Sequence, residues 1–179
     1  WYRGATGAPF DVTPAEVVFT TNLSGYQEVF TDPSYAGQIV VMTAPMIGNY
    51  GVNDEDLESL KPMVSGIVVR ELSREASNWR STGRLDEWLS ARGIPVVSEV
   101  DTRAITRHIR DNGAQMAAIG TESVATLHDR AKAAPSMNGL DLTGRVTTKQ
   151  NHYHWTEGTG DWQLEARTQL GLKVVAVDF

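Results

Sequence analysis

Residues 38–43 read Gln38-Ile39-Val40-Val41-Met42-Thr43 and hold three β-branched side chains in a row. Such a run, bounded by Gly and Pro, is typical of a β-strand. The stretches 16–21 and 65–70 show the same pattern, which predicts three strands in the first third of the chain. Between them, turn-forming residues lie at 32–35 and 48–51, and we expect an ordered loop over 44–53.

After residue 80 the apolar spacing changes to that of helices. Leu85, Trp88 and Leu89 recur at i, i+3 and i+4 ahead of Gly93, which predicts a helix over 82–92. Asp101 is placed to cap a second helix, Thr102–Asn112, that ends before Gly113. Further elements are predicted as strands at 94–97 and 116–120 and a helix at 123–134. Strands that alternate with helices favour an α/β or α+β domain.

Composition limits the classes of protein that this chain can be. Its 179 residues carry 16 Lys+Arg and 22 Asp+Glu, a net charge of −6, and no cysteine. The length suits one domain with a remainder, at about 150 residues per domain. The absence of cysteine excludes disulfides and thiolate chemistry, and the acidic balance argues against nucleic-acid binding. No apolar run approaches the roughly 18 residues that a membrane helix needs.

The two ends of the chain differ from its middle. The first residues, Trp1–Gly7, contain neither an initiator Met nor the apolar core of a signal peptide. We therefore expect that this is not the natural start of the protein. Residues 148–172 are polar and contain glycine without periodicity, which indicates a linker. The apolar run within 173–179 is typical of a parallel strand and reads as the first strand of another unit.

Three clusters of polar residues are candidates for function, and each has a plain structural interpretation. His152 and His154 have the spacing of a metal pair on one strand face but lack a visible third ligand. The acids of 54–58 suit cation binding or catalysis, although such residues also stabilise a helix N-terminus, the interpretation that we favour. Arg103, Arg107 and Arg110 form a stripe that is either a solvated helix face or a docking surface for an acidic partner.

The segment Asp32-Pro33-Ser34-Tyr35 has the composition of a tight turn. If Asp32 begins a type I turn, Ser34 occupies the third position and holds its hydroxyl at the tip. There the hydroxyl is free to bond a polar ligand. From turn chemistry alone the structural role remains the simpler interpretation.

Several ordered runs together carry a family resemblance. The runs are Glu16–Thr21, Ser24–Glu28, Thr31–Tyr35, Gly48–Asn53, Ala76–Arg80, Val100–Arg107 and Gly113–Gln115. Together they closely resemble the small subunit of glutamine-hydrolysing carbamoyl phosphate synthetases over nearly the whole chain.

The resemblance implies the domain organisation. Residues 1–147 correspond to the amino-terminal domain of that subunit, an α/β domain of the swivelling β/β/α type with mixed strands and flanking helices, here without its opening strand. Residues 148–172 remain a linker, and 173–179 become the first strand of a truncated class I glutamine amidotransferase domain.

The resemblance also implies chemistry. In the family, a cysteine-based triad of that second domain releases ammonia from glutamine, and a large subunit uses ATP, bicarbonate and metal ions to make carbamoyl phosphate. Its product serves arginine and pyrimidine synthesis, and we expect a cytoplasmic hetero-oligomer. No catalytic residue, cofactor or metal is assigned to this chain, which is expected to be inactive alone.

One binding residue carries over from the family. Ser34 resembles the family serine that contacts the glutamine, so L-glutamine is the expected ligand. The family resemblance also makes the large subunit and the amidotransferase domain expected partners. The alternatives are a free-standing interaction module of the same fold and a metal-binding domain built on His152 and His154.

Overall fold

The computed structural model describes residues 1–7, 10–147 and 175. The chain divides into two compact units, Trp1–Asp141 and Leu142–Phe179. The first unit contains the elements that position the candidate site. Of the second, the described part comprises residues 142–147 and Val175, with one short helix, α5 (Thr143–Val146). The predicted linker and final strand lie outside the described residues, Val175 excepted, and the domain boundary at 147 stays a prediction.

The described residues of the first unit form two sheets and four α-helices. Its strands are β1 (Thr13–Thr20), β2 (Gln38–Met42), β3 (Met46–Ile47), β4 (Gly66–Val68), β5 (Glu71–Leu72), β6 (Val96–Val97) and β7 (Gln115–Ile119). Its helices are α1 (Tyr26–Thr31), α2 (Leu85–Ser90), α3 (Thr102–Asn112) and α4 (Val124–Ala133). The main sheet has the order β6-β4-β2-β1-β7, and β3 pairs with β5 in a separate sheet.

The main sheet is mixed. β1, β2, β4 and β6 pair in parallel, whereas β7 runs antiparallel to β1 along one edge. Parallel strands need crossover connections that place helices against the sheet faces. The predicted α/β class, with mixed strands and flanking helices, is therefore confirmed.

The apolar run of β2 lies at the centre of the sheet. Ile39 and Val41 belong to one core, Val40 and Met42 belong to the other, and all four are 0% exposed. Because successive side chains of a strand point to opposite faces, a run without polar alternation fits only a strand that is covered on both faces.

Different helices cover the two faces. Tyr26 and Phe30 of α1 and Leu85 and Leu89 of α2 pack in the core that contains Val40 and Met42. The opposite core receives Ile109 of α3, with Ile105 packed against it. α1 and α3 therefore lie on opposite sides of the sheet.

The predicted elements agree with the structure best where a cap marks the boundary. The helix Thr102–Asn112 is found as predicted, with Asp101 Oδ1 accepting from the Ala104 amide at 3.0 Å. The 82–92 helix is shorter, since regular helix spans only Leu85–Ser90. The helix α1 was not predicted from its sequence, because six residues are too few to show helical periodicity.

Within the part of the chain that the structure describes, no helix has the length and apolarity needed to span a membrane.

Burial of the α2 face should account for a measurable share of the stability. We expect Leu89→Ala to lower the free energy of unfolding by about 2–5 kcal/mol, because Leu89 is 0% exposed and truncation leaves a cavity. The matched control is Leu60→Ala, at a position that is 94% exposed, which should change stability by less than about 0.5 kcal/mol. Denaturant unfolding of both variants measures this, and equal losses would contradict the burial of Leu89 in the core.

Candidate functional site

Ser34 lies in a single 3-10 turn, Pro33–Tyr35, directly after α1. The Tyr35 amide donates to the Asp32 carbonyl oxygen at 3.1 Å, the bond that closes a four-residue turn. The Ser34 amide donates to Asp32 Oδ1 at 2.8 Å. The predicted turn is confirmed, with Ser34 at its third position and exposed.

The segment 58–63 braces this turn from the C-terminal end of α1. Thr31, which is 0% exposed, accepts on its hydroxyl from the Glu58 amide at 3.0 Å. The Ser59 hydroxyl donates to the Thr31 carbonyl at 2.5 Å, and the Met63 amide donates to the Phe30 carbonyl at 2.9 Å. The exposed Ser34 side chain is therefore presented by a backbone that is fixed on its inner side.

A polar depression lies at the other end of α1. Its volume is about 280 Å³, and it is lined by Ser24, Gly25, Glu28, Tyr50, Asn53, Asp56, Asn78 and Arg80. Ser34 is not among the lining residues. Ser34, the binding residue predicted from the sequence, therefore lies outside the polar depression.

Tyr50 caps α1 from outside the helix. Its hydroxyl oxygen accepts from the amides of Gly25 at 2.6 Å and Tyr26 at 3.0 Å. Gly25 adopts φ 75°, a left-handed conformation that glycine tolerates. The Tyr50 ring stacks on Tyr26 with centroids 4.0 Å apart. Burial raises the pKa of both phenols above the usual range, so they stay protonated and neutral near neutral pH.

A reciprocal amide pair joins α1 to the loop that carries Tyr50. Gln27 Nε2 donates to the Asn53 carbonyl at 2.6 Å, and Gln27 Oε1 accepts from the Asn53 amide at 3.0 Å. Gln27 is 1% exposed. Its side chain provides the donor and the acceptor that the buried backbone of Asn53 would otherwise need from a neighbouring strand. The loop expected over 44–53 is therefore ordered, with β3 inside it.

The acids that follow Asn53 do not begin a helix, so the prediction of a helix N-terminus at 54–58 was wrong. Asn53 Oδ1 accepts from the amides of Glu55 at 2.8 Å and Asp56 at 2.9 Å, which satisfies those donors in a bend instead. Arg80 Nη2 then contacts Glu55 Oε2 and Asp56 Oδ1, both at 2.9 Å. These carboxylates are used to hold Arg80 against the depression.

Glu28 is the unusual acid of the depression. It is half-buried, and among the described residues its Oε2 is buried without a hydrogen-bond partner. Burial raises the pKa of the Glu28 carboxyl above its usual range, and the nearby charges of Asp56 and Glu58 add to this effect. The depression therefore contains a carboxylate that is costly to ionise.

The arginine stripe lies elsewhere. Arg103, Arg107 and Arg110 are all exposed along α3, while Ile109 of the same helix is buried. Arg110 contacts Asp111 at 3.2 Å in an exposed pair. Because α1 and α3 cover opposite faces of the sheet, the stripe and the depression belong to different sides of the domain.

No metal centre is found in the described part of the chain, where no group of three or more His, Asp or Glu side chains is placed to hold an ion. His152 and His154 lie outside the described residues.

Sequence reasoning did not identify Gln27, Tyr50, Asn53 or Arg80 as parts of a site. Each of them lies inside one of the runs that carry the family resemblance. Since these runs are separated by some twenty residues along the chain, their convergence depended on how the loops fold over α1.

Replacing the Glu28 carboxyl should change how the free energy of unfolding depends on pH. The folded chain keeps the Glu28 proton to a higher pH than the unfolded chain, so the free energy of unfolding falls as the pH rises through that interval. We expect Glu28→Gln to stabilise the domain at pH 7, and the gain should shrink near pH 4, about where the unfolded glutamate titrates. Unfolding at both pH values, with Glu122→Gln at an exposed position as the control, measures this. A loss of stability at pH 7 would contradict it.

Comparisons of the sequence with known proteins give the family of this chain. The family model described as carbamoyl-phosphate synthase small chain, CPSase domain, matches residues 2–119. The carbamoyl phosphate synthase small chain of Syntrophotalea carbinolica is 50% identical over 180 residues, covering 98% of this chain and 47% of the relative. The small chain of Synechocystis sp. is 49% identical, covering 100% of this chain and 47% of the relative. That of Streptomyces coelicolor is 48% identical, covering 95% of this chain and 44% of the relative.

The chain spans about half the length of the curated relatives it matches. All seven motif runs that carry the resemblance fall within residues 16–115, inside the matched region. The match covers more than half of the chain, and the chain therefore belongs to the carbamoyl-phosphate synthase small-chain family.

Proposed function

We propose that this chain forms the N-terminal scaffold domain of a carbamoyl phosphate synthase small chain. In this role it performs no chemistry itself and supports the supply of ammonia from glutamine by the other half of the small chain. The observation that carries the proposal is the family match over residues 2–119, together with relatives of about twice this length. Zero cysteines agree with an inactive domain, since thiolate chemistry needs one.

The same proposal includes the complete assembly. A large chain would use the ammonia, with ATP, metal ions and bicarbonate, to make carbamoyl phosphate for arginine and pyrimidine synthesis in the cytoplasm. The N-terminal domain would contribute contact surfaces and one substrate contact, and it would bind no cofactor.

Ser34 is the proposed substrate contact, with L-glutamine as its ligand. Support comes from its exposed position on a turn that Asp32 and the 58–63 segment hold in place. A hydroxyl on a fixed turn loses little freedom when it binds, so one hydrogen bond can orient a polar amino acid. The neighbouring domain would then supply the nucleophile.

The Ser34 contact is testable in the full-length enzyme. We expect Ser34→Ala to raise the KM for glutamine by about 2- to 10-fold, the value of one hydrogen bond, while synthesis from free ammonia is unchanged. Ser90→Ala, at another exposed serine, is the matched control. Steady-state kinetics with both nitrogen donors measure this, and an equal loss with glutamine and ammonia would rule out the assignment.

The arginine stripe is proposed as a docking surface for an acidic region of the large chain. Its support is the exposure of all three side chains on an otherwise acidic chain of net charge −6. Like charges on one helix face repel unless an opposing surface neutralises them. Charge complementarity of this kind acts mainly on the association rate.

Charge reversal tests the stripe. We expect the double variant Arg103→Glu/Arg107→Glu to slow association with the large chain by about tenfold at low salt, with a smaller effect at high salt. The matched control is Arg130→Glu/Lys132→Glu, which reverses two exposed charges on α4. Surface-binding kinetics at two salt concentrations measure the association rates. An unchanged association rate of the Arg103/Arg107 variant would rule out the proposal.

A further inference from the structure

Two large apolar side chains stand almost fully exposed beside the polar depression. Leu23 is 83% exposed and precedes Ser24, and Trp79 is 81% exposed between Asn78 and Arg80. Isolated surface leucines need no explanation, but a tryptophan and a leucine that flank one concave surface form a local apolar feature. Tryptophan and arginine are also among the residues most enriched at the energetic centres of protein interfaces.

The backbone that carries Leu23 is fixed. On one side of it the Asn22 amide donates to the Thr20 hydroxyl at 3.3 Å. On the other side the Gly25 amide donates to the Tyr50 hydroxyl at 2.6 Å. The exposed leucine is therefore held between two anchored residues rather than at the tip of a loose loop.

The turn that carries Trp79 is fixed in the same way. The Arg80 amide donates to Asn78 Oδ1 at 2.8 Å, and the Ser81 amide donates to the Asn78 carbonyl at 3.0 Å. The Ser77 amide donates to the Asn49 carbonyl at 2.9 Å. An apolar side chain on a preorganised turn loses little entropy on binding, which is the property of an anchor residue.

The surroundings of these two side chains are acidic. Glu28 and Asp56 line the depression with Arg80, and Asp54 and Glu55 are exposed next to Asp56. Arg80 pairs with Glu55 and Asp56, so the acids of this segment together with Glu28 outnumber the one arginine that lines the depression. A partner that covers this surface gains by presenting lysine or arginine side chains opposite the carboxylates.

We infer that Leu23 and Trp79 are the anchors of a docking surface for the large chain, whose contact region offers apolar pockets for them and basic side chains around those pockets. This inference rests on the proposed function, which supplies the large chain as a partner. It concerns the face of the sheet opposite the arginine stripe, so the two surfaces are tested independently.

A separate chain is the occupant that the acidic groups favour. Charges of opposite sign on two free molecules raise the rate at which these molecules meet, by about tenfold or more at low salt. A segment tethered to the same polypeptide already has a high effective concentration and gains little from such steering. Exposed aromatic anchors likewise serve association that must overcome the entropy of bringing two molecules together.

The test uses the full-length small chain that carries this domain and the purified large chain. We expect the double variant Leu23→Ala/Trp79→Ala to bind the large chain at least about tenfold more weakly than the unmodified chain, by calorimetry. Leu140→Ala, at a leucine that is 44% exposed elsewhere, should bind normally. Because both anchors are exposed, denaturant unfolding of the double variant should match that of the unmodified chain.

A charge variant separates anchoring from steering. Asp54→Lys should slow association severalfold at low salt and leave the dissociation rate nearly unchanged, whereas Glu122→Lys, at an exposed acid of another segment, should not.

The outcomes distinguish this inference from the proposed function. Normal binding of the double variant to the large chain would overturn the inference and leave the proposed function intact. If the double variant instead loosens only the contact between the two halves of the small chain, the face belongs to that contact and the inference is again overturned. If the unmodified chain itself fails to bind the large chain, the proposed function fails and the inference fails with it.

Discussion

The paired hydrogen bonds between Gln27 and the backbone of Asn53 are the contact on which the candidate site depends. The helix α1 has only six residues, and a helix of this length is unstable by itself in water. Gln27 ties it to the 48–53 loop through both a donor and an acceptor, at 2.6 and 3.0 Å and away from solvent. The Tyr50 hydroxyl then satisfies two amides at its N-terminus, which no local side chain does.

Fixing α1 in this way gives its two ends separate roles. The C-terminal end leads into the turn that presents Ser34, and the N-terminal end borders the polar depression. Gly51 is required for this arrangement, because its φ is 73° and a β-carbon there would lie 2.7 Å from the Gly83 carbonyl oxygen. Short segments held in place in this way can present side chains at fixed positions on the surface of the domain.

Opposite charges are distributed over opposite sides of the central sheet. The arginine stripe lies on the α3 side, and the acids around Arg80 lie on the α1 side. With strand β2 buried on both faces, the sheet keeps the two surfaces apart at a fixed geometry. A partner can therefore contact one side of the domain without contacting the other.

Local signals were enough for the buried strands, for α3 with its Asp101 cap and for the turn at Ser34, because each depends on residues adjacent in the chain. The helix α1 and the ion pairs of Arg80 could not be predicted this way, since their stabilising contacts come from residues some 25 positions away. The acids at 54–58 show the limit most clearly. Charge pattern alone favoured a helix N-terminus. Asn53 instead accepts from the amides of Glu55 and Asp56 in a local bend, and Arg80, which only the folded loops bring to this segment, binds the carboxylates.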